Sequence, residues 1–490
     1  MWTEGRNIIV LILLASFALR SLMLGSRDLD LDEAFSFFLV TDHSFVHLMS
    51  PFSSAITGDA HPPIYYLFTH LWMHSGYPLL RLLSASREFA FRFPFAFFGA
   101  FTTYVMYRIG ERAACKKLGL ILAFTHALTS FSVQIAHQAR MYTLVEMLSA
   151  IILLKGFSPR SSFTFRDSLS LGLLSSLLFL IHYASIFFLL VIWVAVVWRF
   201  RARIKPLVVA LLISAASLAW WVPGLLTQLS REAASSTARF STGTIIPFTL
   251  FQFFSGDRAL SLGSPVAGRL HVFAIFGTAL FLAFLMVLIW NLRRELSGMT
   301  KFIAILLVPL TLHWLATFKI SRIFNGTHYA IYSLPAFLLL ICIVTLCARE
   351  IHPHIPKVMI SLFLAVNAAT LYSFYDNSLV PYEPWNQACG SMRAANPRKV
   401  YIYPSYMSVL LRFYGPDLPV IDLPGRCSRF SIEVDEIRPQ TNQEADIFLV
   451  LSHDRGQGLC YQEMFRQAFE QKPSPYSFHN IRIYTFRGTS

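Results

Sequence analysis

The chain has 490 residues, of which 55% are hydrophobic and only 14% are charged, and its mean hydropathy is +0.53. Soluble proteins carry about 25% charged residues, so this composition excludes an ordinary soluble protein and indicates an integral membrane protein. The net charge is +14, but the basic residues stand in short segments between apolar runs, where they set membrane orientation. Nucleic acid is therefore not expected as a partner.

Apolar runs long enough to cross a bilayer recur through residue 375. The basic segments between them alternate in a way that places the N-terminus in the cytoplasm. An odd number of spans then places the C-terminal residues outside, across the plasma (inner) membrane if the organism is a bacterium. We predict about eleven membrane-spanning helices, at residues 7–24, 89–107, 118–135, 141–155, 168–182, 184–198, 206–226, 271–290, 302–318, 329–347 and 357–374.

The composition changes after residue 375, and this change predicts two domains. Residues 1–375 form a transmembrane domain with a long first outer loop at 25–88, and residues 376–490 form a small extracytoplasmic α/β domain. Cys389, Cys427 and Cys460 allow one disulfide in that domain, with the pairing open. The periodicity predicts strands at 400–403, 420–423, 446–451 and 481–486, and helices at 405–413 and 459–469.

Two outer loops contain features of their own. Residues 64–74 of the first loop are amphipathic but too short to span, which predicts a helix lying along the membrane interface. Residues 227–270 are rich in Ser, Thr and Gly, and we expect a mobile segment there that closes over a substrate.

Four carboxylates follow the first apolar run directly, although the chain has 41 basic and only 27 acidic residues. One interpretation is structural, with Asp32 capping a helix that begins near Glu33 and the remaining acids solvated. The other is chemical, because carboxylates at the membrane edge can accept protons from a substrate. The four are Asp28, Asp30, Asp32 and Glu33.

Two further motifs contain polar residues suited to binding. His61 precedes two prolines that can start a helix, and it could contact a phosphate or, with Glu33, hold a divalent metal. Arg140 stands where two predicted spans meet on the outer side. It either reaches lipid headgroups or binds a phosphate, whose geometry its guanidinium fork matches. Arg92 competes with it for the phosphate.

Four short motifs stand in one order within the first 150 residues: Asp32-Glu33, His61-Pro62-Pro63-Ile64-Tyr65-Tyr66, Arg92-Phe93-Pro94 and Ala139-Arg140-Met141-Tyr142. This order resembles that of polytopic GT-C glycosyltransferases, in particular the bacterial branch with protein O-mannosyltransferase-like and aminoarabinose-transferase-like enzymes. The family usually has an Arg-Tyr pair before a late span, followed by Leu-Pro. This chain has His328-Tyr329 and then Leu334-Pro335, so Lys319 or Arg322 is expected to replace the missing arginine.

The resemblance implies sugar transfer, with inversion, from a polyprenyl-phosphate donor to an acceptor hydroxyl on the outer face. The acceptor is a lipid-linked glycan, a cell-envelope polysaccharide or a protein, and no cofactor beyond a divalent metal is suggested. Asp32 would be the general base, and Glu33 would orient the acceptor or hold the metal with His61. Residues expected to bind the donor phosphate are Arg140, Arg92, Lys319, Arg322, His328 and Tyr329, and those expected to line the substrate are His61, Tyr65 and Tyr142.

Two other classes of protein remain alternatives. Transporters and lipid flippases place polar residues within their spans, and Glu146 and His182 fit that pattern. A membrane receptor whose C-terminal domain binds a glycan or a protein is the third interpretation.

Overall fold

A computed structural model describes the chain except for residues 1, 55–60, 157–163, 201–203, 235–244, 257–264, 293–299, 319–325, 377–381, 425–445, 454–457, 473–475 and 488–490. The described chain is mostly helical and divides into two compact units. The first comprises Met1–Leu24 and Val40–Val380, and the second comprises Gly25–Leu39 and Pro381–Ser490. The predicted first outer loop is thus divided between the two units.

The first unit is mostly helical in its described part, and every predicted membrane segment overlaps its helices. Short 3-10 helices occur at Tyr183–Ser185, Thr327–Ser333 and Ala348–Glu350. The α-helices are Trp2–Ser21, Phe45–Met49, Ile64–His74, Gly76–Leu82, Arg87–Ala113, Lys116–Leu128, Ser130–Ala136, Tyr142–Gly156, Phe165–Ile181, Ile186–Phe200, Ile204–Ala219, Val222–Ala234, Ile245–Ser255, Pro265–Leu292, Thr300–Ala316, Leu334–Cys347 and Ile355–Tyr375.

Several of these helices can cross a bilayer, which makes the chain an integral multi-pass membrane protein. Two predicted spans are bent, by 57° between Lys116–Leu128 and Ser130–Ala136 and by 64° between Lys205–Ala219 and Val222–Arg231. The total of about eleven spans stays a prediction. Among the described helices, five are long and apolar enough to span unbroken: Arg87–Ala113, Tyr183–Phe200, Val272–Leu292, Thr327–Glu350 and Ile355–Tyr375.

The amphipathic stretch of the first outer loop forms a helix with the predicted bounds, Ile64–His74. Its aromatic face packs on the long helix Arg87–Ala113, where the ring centres of Tyr65 and Phe68 lie 6.1 and 6.0 Å from that of Phe95. Burial of these rings against protein fixes the helix in place. Its position at the membrane interface stays a prediction.

Part of the segment predicted as a mobile loop is helical instead. Residues Ile245–Ser255 form a helix, and Phe253 is fully buried with its ring 5.4 Å from that of Phe131. This apolar run is too short to cross a bilayer, so the hydropathy pattern did not predict it as a membrane helix, and it was assigned to the loop with the polar residues around it. Residues 235–244 and 257–264 of the predicted loop lie outside the described chain.

A polar network is buried among the helices of the first unit. The Arg20 guanidinium donates to the hydroxyls of Ser16 at 2.7 Å and Ser132 at 3.0 Å. Ser132 in turn donates to Glu146 Oε2 at 3.0 Å, and His126 Nε2 lies 2.9 Å from Glu146 Oε1. Both carboxylate oxygens of Glu146 therefore have a partner. This arrangement gives the predicted intramembrane carboxylate a structural role.

We expect Glu146→Leu to destabilise the protein, because it leaves Arg20 buried without its counter-charge. The two side chains interact electrostatically and through the Ser132 hydroxyl, and removing one of two buried opposite charges costs about 3–5 kcal/mol. Thermal unfolding in detergent, followed by tryptophan fluorescence, measures the effect.

Two variants serve as controls for this stability test. Adding Arg20→Met to Glu146→Leu should recover part of the loss, since both charges are then gone. Glu111→Leu breaks the more exposed pair with Arg108 at 3.1 Å and should change stability little. A Glu146→Leu protein as stable as wild type would show that the network does not stabilise the fold.

The second unit is an α/β domain, as predicted. The strands are β1 Lys399–Tyr403, β2 Val420–Asp422, β3 Asp446–Ser452, β4 Glu470–Lys472, β5 Ser477–Phe478 and β6 Ile481–Arg487. They form a sheet of order β2-β1-β3-β6-β4, with β5 also paired to β6. Strand β1 runs parallel to β2 and β3, and β3 runs antiparallel to β6. All four predicted strands are present. The helices are Leu31–Asp42, Trp385–Ala394, Ser408–Tyr414 and Gly458–Ala468, with a 3-10 turn at Ser405–Met407. The last three residues of Leu31–Asp42 belong to the first unit.

The cysteines of the second unit are in different states. Cys460 forms a disulfide, whereas Cys389 is a free and buried thiol. Burial raises the pKa of the Cys389 thiol to about 12, which makes it unreactive at neutral pH. Cys427 lies outside the described residues. A disulfide is typical of a compartment that is oxidising.

Candidate active site

The acidic segment of the second unit starts the helix Leu31–Asp42. Asp30 Oδ1 accepts a hydrogen bond from the Glu33 backbone N–H at 2.8 Å, and Glu33 Oε2 accepts one from the Asp30 N–H at 3.1 Å. This reciprocal pair is a capping box. The predicted cap was therefore wrong by two residues: the helix begins at Leu31, and Asp30, not Asp32, is its N-cap.

The acidic segment is held by the C-terminal part of the second unit. Asp28 Oδ2 accepts a hydrogen bond of 2.7 Å from the backbone N–H of Asn386, in the first turn of Trp385–Ala394. A carboxylate there complements the helix dipole. The N–H of Leu29 donates to the Tyr414 hydroxyl at 2.6 Å. Asp28 is therefore bound to protein and is not the solvated residue that the sequence predicted.

Aromatic contacts fix the helix that follows the acids. The ring of Phe37 meets that of Phe413 edge-on at 4.9 Å, and the Arg412 guanidinium lies 4.1 Å from the ring centre of Phe38. Such contacts add to the apolar burial of the rings. The helix is thus firmly seated in the second unit.

The carboxylates of this segment differ in exposure and in use. Glu33 is only 1% exposed and belongs to the capping box with Asp30, whereas Asp32 is exposed in the first helical turn. Asp28 binds the neighbouring helix. Of the two exposed carboxylates, Asp30 and Asp32, Asp30 is used by the capping box, and the role of Asp32 as a base stays a prediction.

The first unit holds a second group of predicted site residues, with one addition. We call His61, Tyr142, His182, His328 and Tyr329 the His/Tyr cluster. Ring centres lie 4.5 Å apart for Tyr142 and His328, 4.9 Å for His182 and Tyr329, and 6.0 Å for His61 and His182. The Tyr329 hydroxyl is 3.4 Å from His61 Nε2. Three separate motifs of the sequence therefore meet here.

Arg140 lies beside the His/Tyr cluster. It stands in the turn before the helix Tyr142–Gly156 and is 4% exposed, with its guanidinium 5.8 Å from the ring centre of Tyr65. The Tyr65 hydroxyl donates to the Ala139 carbonyl and so fixes the same turn. Because the side chain is buried in protein, burial disfavours the interpretation that Arg140 reaches out to lipid headgroups.

Arg140 also acts electrostatically on His182 and His328. The His328 ring packs against the backbone of Gly326. Gly326 has φ 137°, and a Cβ added there would lie 2.6 Å from His328 Cε1. Only glycine tolerates both constraints. The His328-Tyr329 pair therefore lies near the Arg140 cation.

A chain of hydrogen bonds that the sequence did not reveal supports His61. Gln228 Nε2 donates to the His61 carbonyl at 2.9 Å, and the Tyr183 hydroxyl donates to Gln228 Oε1 at 2.5 Å. The Trp221 indole N–H then donates to the Tyr183 hydroxyl at 2.6 Å. These residues lie in or beside apolar runs of the sequence. Their polar side chains were the one sequence feature that could have indicated a hydrogen-bonding role.

The remaining predicted phosphate contacts are placed differently. Arg92 Nη1 donates to the Leu24 carbonyl at 3.1 Å, which gives this buried arginine a structural partner. Lys319 and Arg322 lie outside the described residues.

The predicted metal ligands lie in different units, Glu33 in the second and His61 in the first. Within the described part of the chain, no three His, Cys, Asp or Glu side chains are grouped so that they could hold a metal ion. The geometry therefore adds no third ligand to the predicted pair.

Comparison with solved structures gives matches along the whole chain. ArnT from Cupriavidus metallidurans bound to undecaprenyl phosphate aligns over 98% of this chain and 98% of its own, at 12% identity and a TM-score of 0.55. ArnT in the apo state aligns over 99% and 98%, at 12% identity and 0.54. An Archaeoglobus fulgidus oligosaccharyltransferase, in complex with Zn and sulfate, aligns over 90% and 67%, at 11% identity and 0.49.

No model of a protein family and no curated protein matches the sequence. The near-complete alignment with ArnT covers both the helices of the first unit and the sheet of the second. At 12% identity this likeness establishes the fold. The chain is a membrane protein with the GT-C glycosyltransferase fold that its motifs resemble.

Proposed function

We propose that the protein transfers a sugar from a polyprenyl-phosphate donor to an acceptor hydroxyl on the outer face of the membrane. The observation that carries this proposal is the buried Arg140 beside the His/Tyr cluster. A guanidinium matches a phosphate, and aromatic rings with a few polar groups suit a sugar. The full-length likeness to ArnT, which was solved with undecaprenyl phosphate, supports the same class of lipid.

In this reaction the bond between the anomeric carbon and the phosphate oxygen breaks, and its electron pair stays on the phosphate. The acceptor oxygen attacks from the opposite side, so the anomeric centre is inverted, and the acceptor proton passes to Asp32. The lipid phosphate changes from a diester with one negative charge to a monoester with about two. Arg140 stabilises this added charge.

The roles of the acids follow from their contacts. Asp32 is the general base because it is exposed, while the carboxylates of Asp30 and Glu33 close the capping box. We assign Glu33 a positioning role, since its carboxylate fixes the helical turn that carries Asp32. This assignment replaces the expected metal-binding role of Glu33.

The location on the outer face has two supports. The disulfide at Cys460 fits an oxidising compartment for the second unit. The basic loops between the predicted spans fit a cytoplasmic N-terminus. The acceptor is a protein hydroxyl, a lipid-linked saccharide or a cell-envelope polysaccharide.

The transporter or flippase alternative relied on Glu146 and His182. Glu146 is fully engaged with Ser132 and His126, so it is not available to bind a transported solute. A flippase would also leave the bond between sugar and phosphate intact. Release of undecaprenyl phosphate from a sugar-linked donor therefore separates the two functions.

Asp32→Asn should reduce sugar transfer by about 100-fold or more, because the acceptor proton loses its base. Purified protein in lipid is incubated with undecaprenyl-phosphate-linked mannose, glucose or aminoarabinose. Membranes of the source organism that lack this protein supply the acceptor. Mass spectrometry measures the undecaprenyl phosphate released.

The matched control is Asp30→Asn, which removes the same charge two residues away. Asparagine is an equally good N-cap, so helix and transfer should be retained within about twofold. Near-normal turnover in Asp32→Asn would refute the assignment of the base. If the wild-type protein releases undecaprenyl phosphate from none of the three donors, the transferase proposal is refuted for these sugars.

Arg140→Lys should raise KM for the donor about tenfold and lower kcat as well, because lysine keeps the charge but loses the two-pronged contact. Initial rates at varied donor concentration give both constants. Arg108→Ala, which removes a more exposed arginine paired with Glu111, is the control and should behave as wild type. Unchanged donor kinetics in Arg140→Lys would leave Arg140 with a structural role only.

A further inference from the structure

His182 is buried, and its hydrogen-bonding groups are unused. It lies between the helix Phe165–Ile181 and the 3-10 turn Tyr183–Ser185, and is 3% exposed. Neither ring nitrogen has a hydrogen-bond partner among the described residues. A buried polar atom without a partner costs free energy of folding. Such an atom therefore needs a reason other than stability.

The other buried histidines of the described chain do not share this property. His126 binds Glu146 and Thr103 at 2.9 and 2.8 Å, and His313 binds the Tyr332 hydroxyl at 2.9 Å. His61 and His137 also have hydrogen-bond partners, at 3.4 Å each. The fold thus supplies partners for buried imidazoles elsewhere, and His182 is the exception.

The surroundings of His182 indicate what could bind it. The ring centres of Tyr329, Tyr142 and His61 lie 4.9, 5.8 and 6.0 Å away. Arg140 is a cation that acts on His182 electrostatically, and the other titratable groups that act on it, His61, His313 and His328, carry no negative charge. The partner is therefore expected to be an anion. His328 and Tyr329 are only half-buried, so the cluster reaches the surface on their side.

A neutral imidazole has one donor and one acceptor nitrogen. Phosphate oxygens of the donor lipid can only accept, which satisfies the N–H. The second nitrogen needs a hydrogen-bond donor, and a sugar hydroxyl supplies one. We propose that His182 binds the donor lipid across its sugar–phosphate linkage, with one nitrogen donating to the phosphate and the other accepting from a sugar hydroxyl.

This inference rests on the proposed function and makes His182 a specificity-determining residue of the same site. The product lipid has lost its sugar and can satisfy only the N–H. The protein therefore binds the sugar-linked lipid in preference to undecaprenyl phosphate, which favours exchange of product for new donor.

His182→Phe tests this inference, because phenylalanine keeps a planar ring without either nitrogen. Binding of undecaprenyl phosphate and of the undecaprenyl-phosphate-linked sugar is measured in nanodiscs by tryptophan fluorescence. We expect the affinity for undecaprenyl phosphate to fall about tenfold and that for the sugar-linked lipid to fall about fiftyfold. The melting temperature without ligand should stay the same or rise, since two unsatisfied atoms are removed.

His313→Phe is the matched control, because it removes a buried histidine that has a partner. It should lower the melting temperature and leave the preference between the two lipids unchanged. Unchanged binding in His182→Phe would overturn the inference. A lower melting temperature with an equal loss for both lipids would overturn it too, since that is the behaviour of a structural residue.

The two proposals can fail separately. If wild type binds the lipids more tightly than His182→Phe, as expected, but releases no undecaprenyl phosphate, the transferase reaction is refuted and the binding role of His182 stands. If wild type transfers sugar and His182→Phe binds both lipids normally, only the role of His182 is refuted.

Discussion

The organisation of the first unit depends on one constraint: polar side chains away from water must find partners inside the protein. Ser132 and Glu146 lie on the two sides of the turn that carries Arg140, and their 3.0 Å hydrogen bond joins those sides. Arg20 connects the N-terminal helix to the same point. The turn that carries Arg140 is thus held by a buried charge network.

The cationic and acidic side chains of the proposed chemistry belong to different parts of the chain. Arg140 and the His/Tyr cluster belong to the first unit, and Asp32 belongs to the second, on a helix that Asp30 and Glu33 cap. Each group is thus fixed by the local structure of its own unit. The stabilising contacts and the reactive groups are separate residues, which is why single substitutions can distinguish stability from catalysis.

Much of this architecture was predictable, because apolar runs have the length that a bilayer requires and strands alternate in a small sheet. The resemblance named both His61 and Tyr329 as site residues, but their approach across 268 residues of sequence is visible only in the structure. The cap was misplaced because every Asp of an Asp-Leu-Asp-Leu-Asp run is a good N-cap. The three-residue spacing from Asp30 to Glu33 was the signal that decides it. His182 escaped the predicted site because its unused nitrogens are visible only in three dimensions.

The discontinuous second unit has a consequence for biosynthesis. Leu29 binds Tyr414, which follows it by 385 residues, and the acidic segment belongs with Pro381–Ser490. Because a chain is synthesised from its N-terminus, the helix Leu31–Asp42 is made early, whereas its partners in Pro381–Ser490 are made only after the first unit. A nascent or truncated chain without Pro381–Ser490 therefore lacks the contacts that seat the helix Leu31–Asp42.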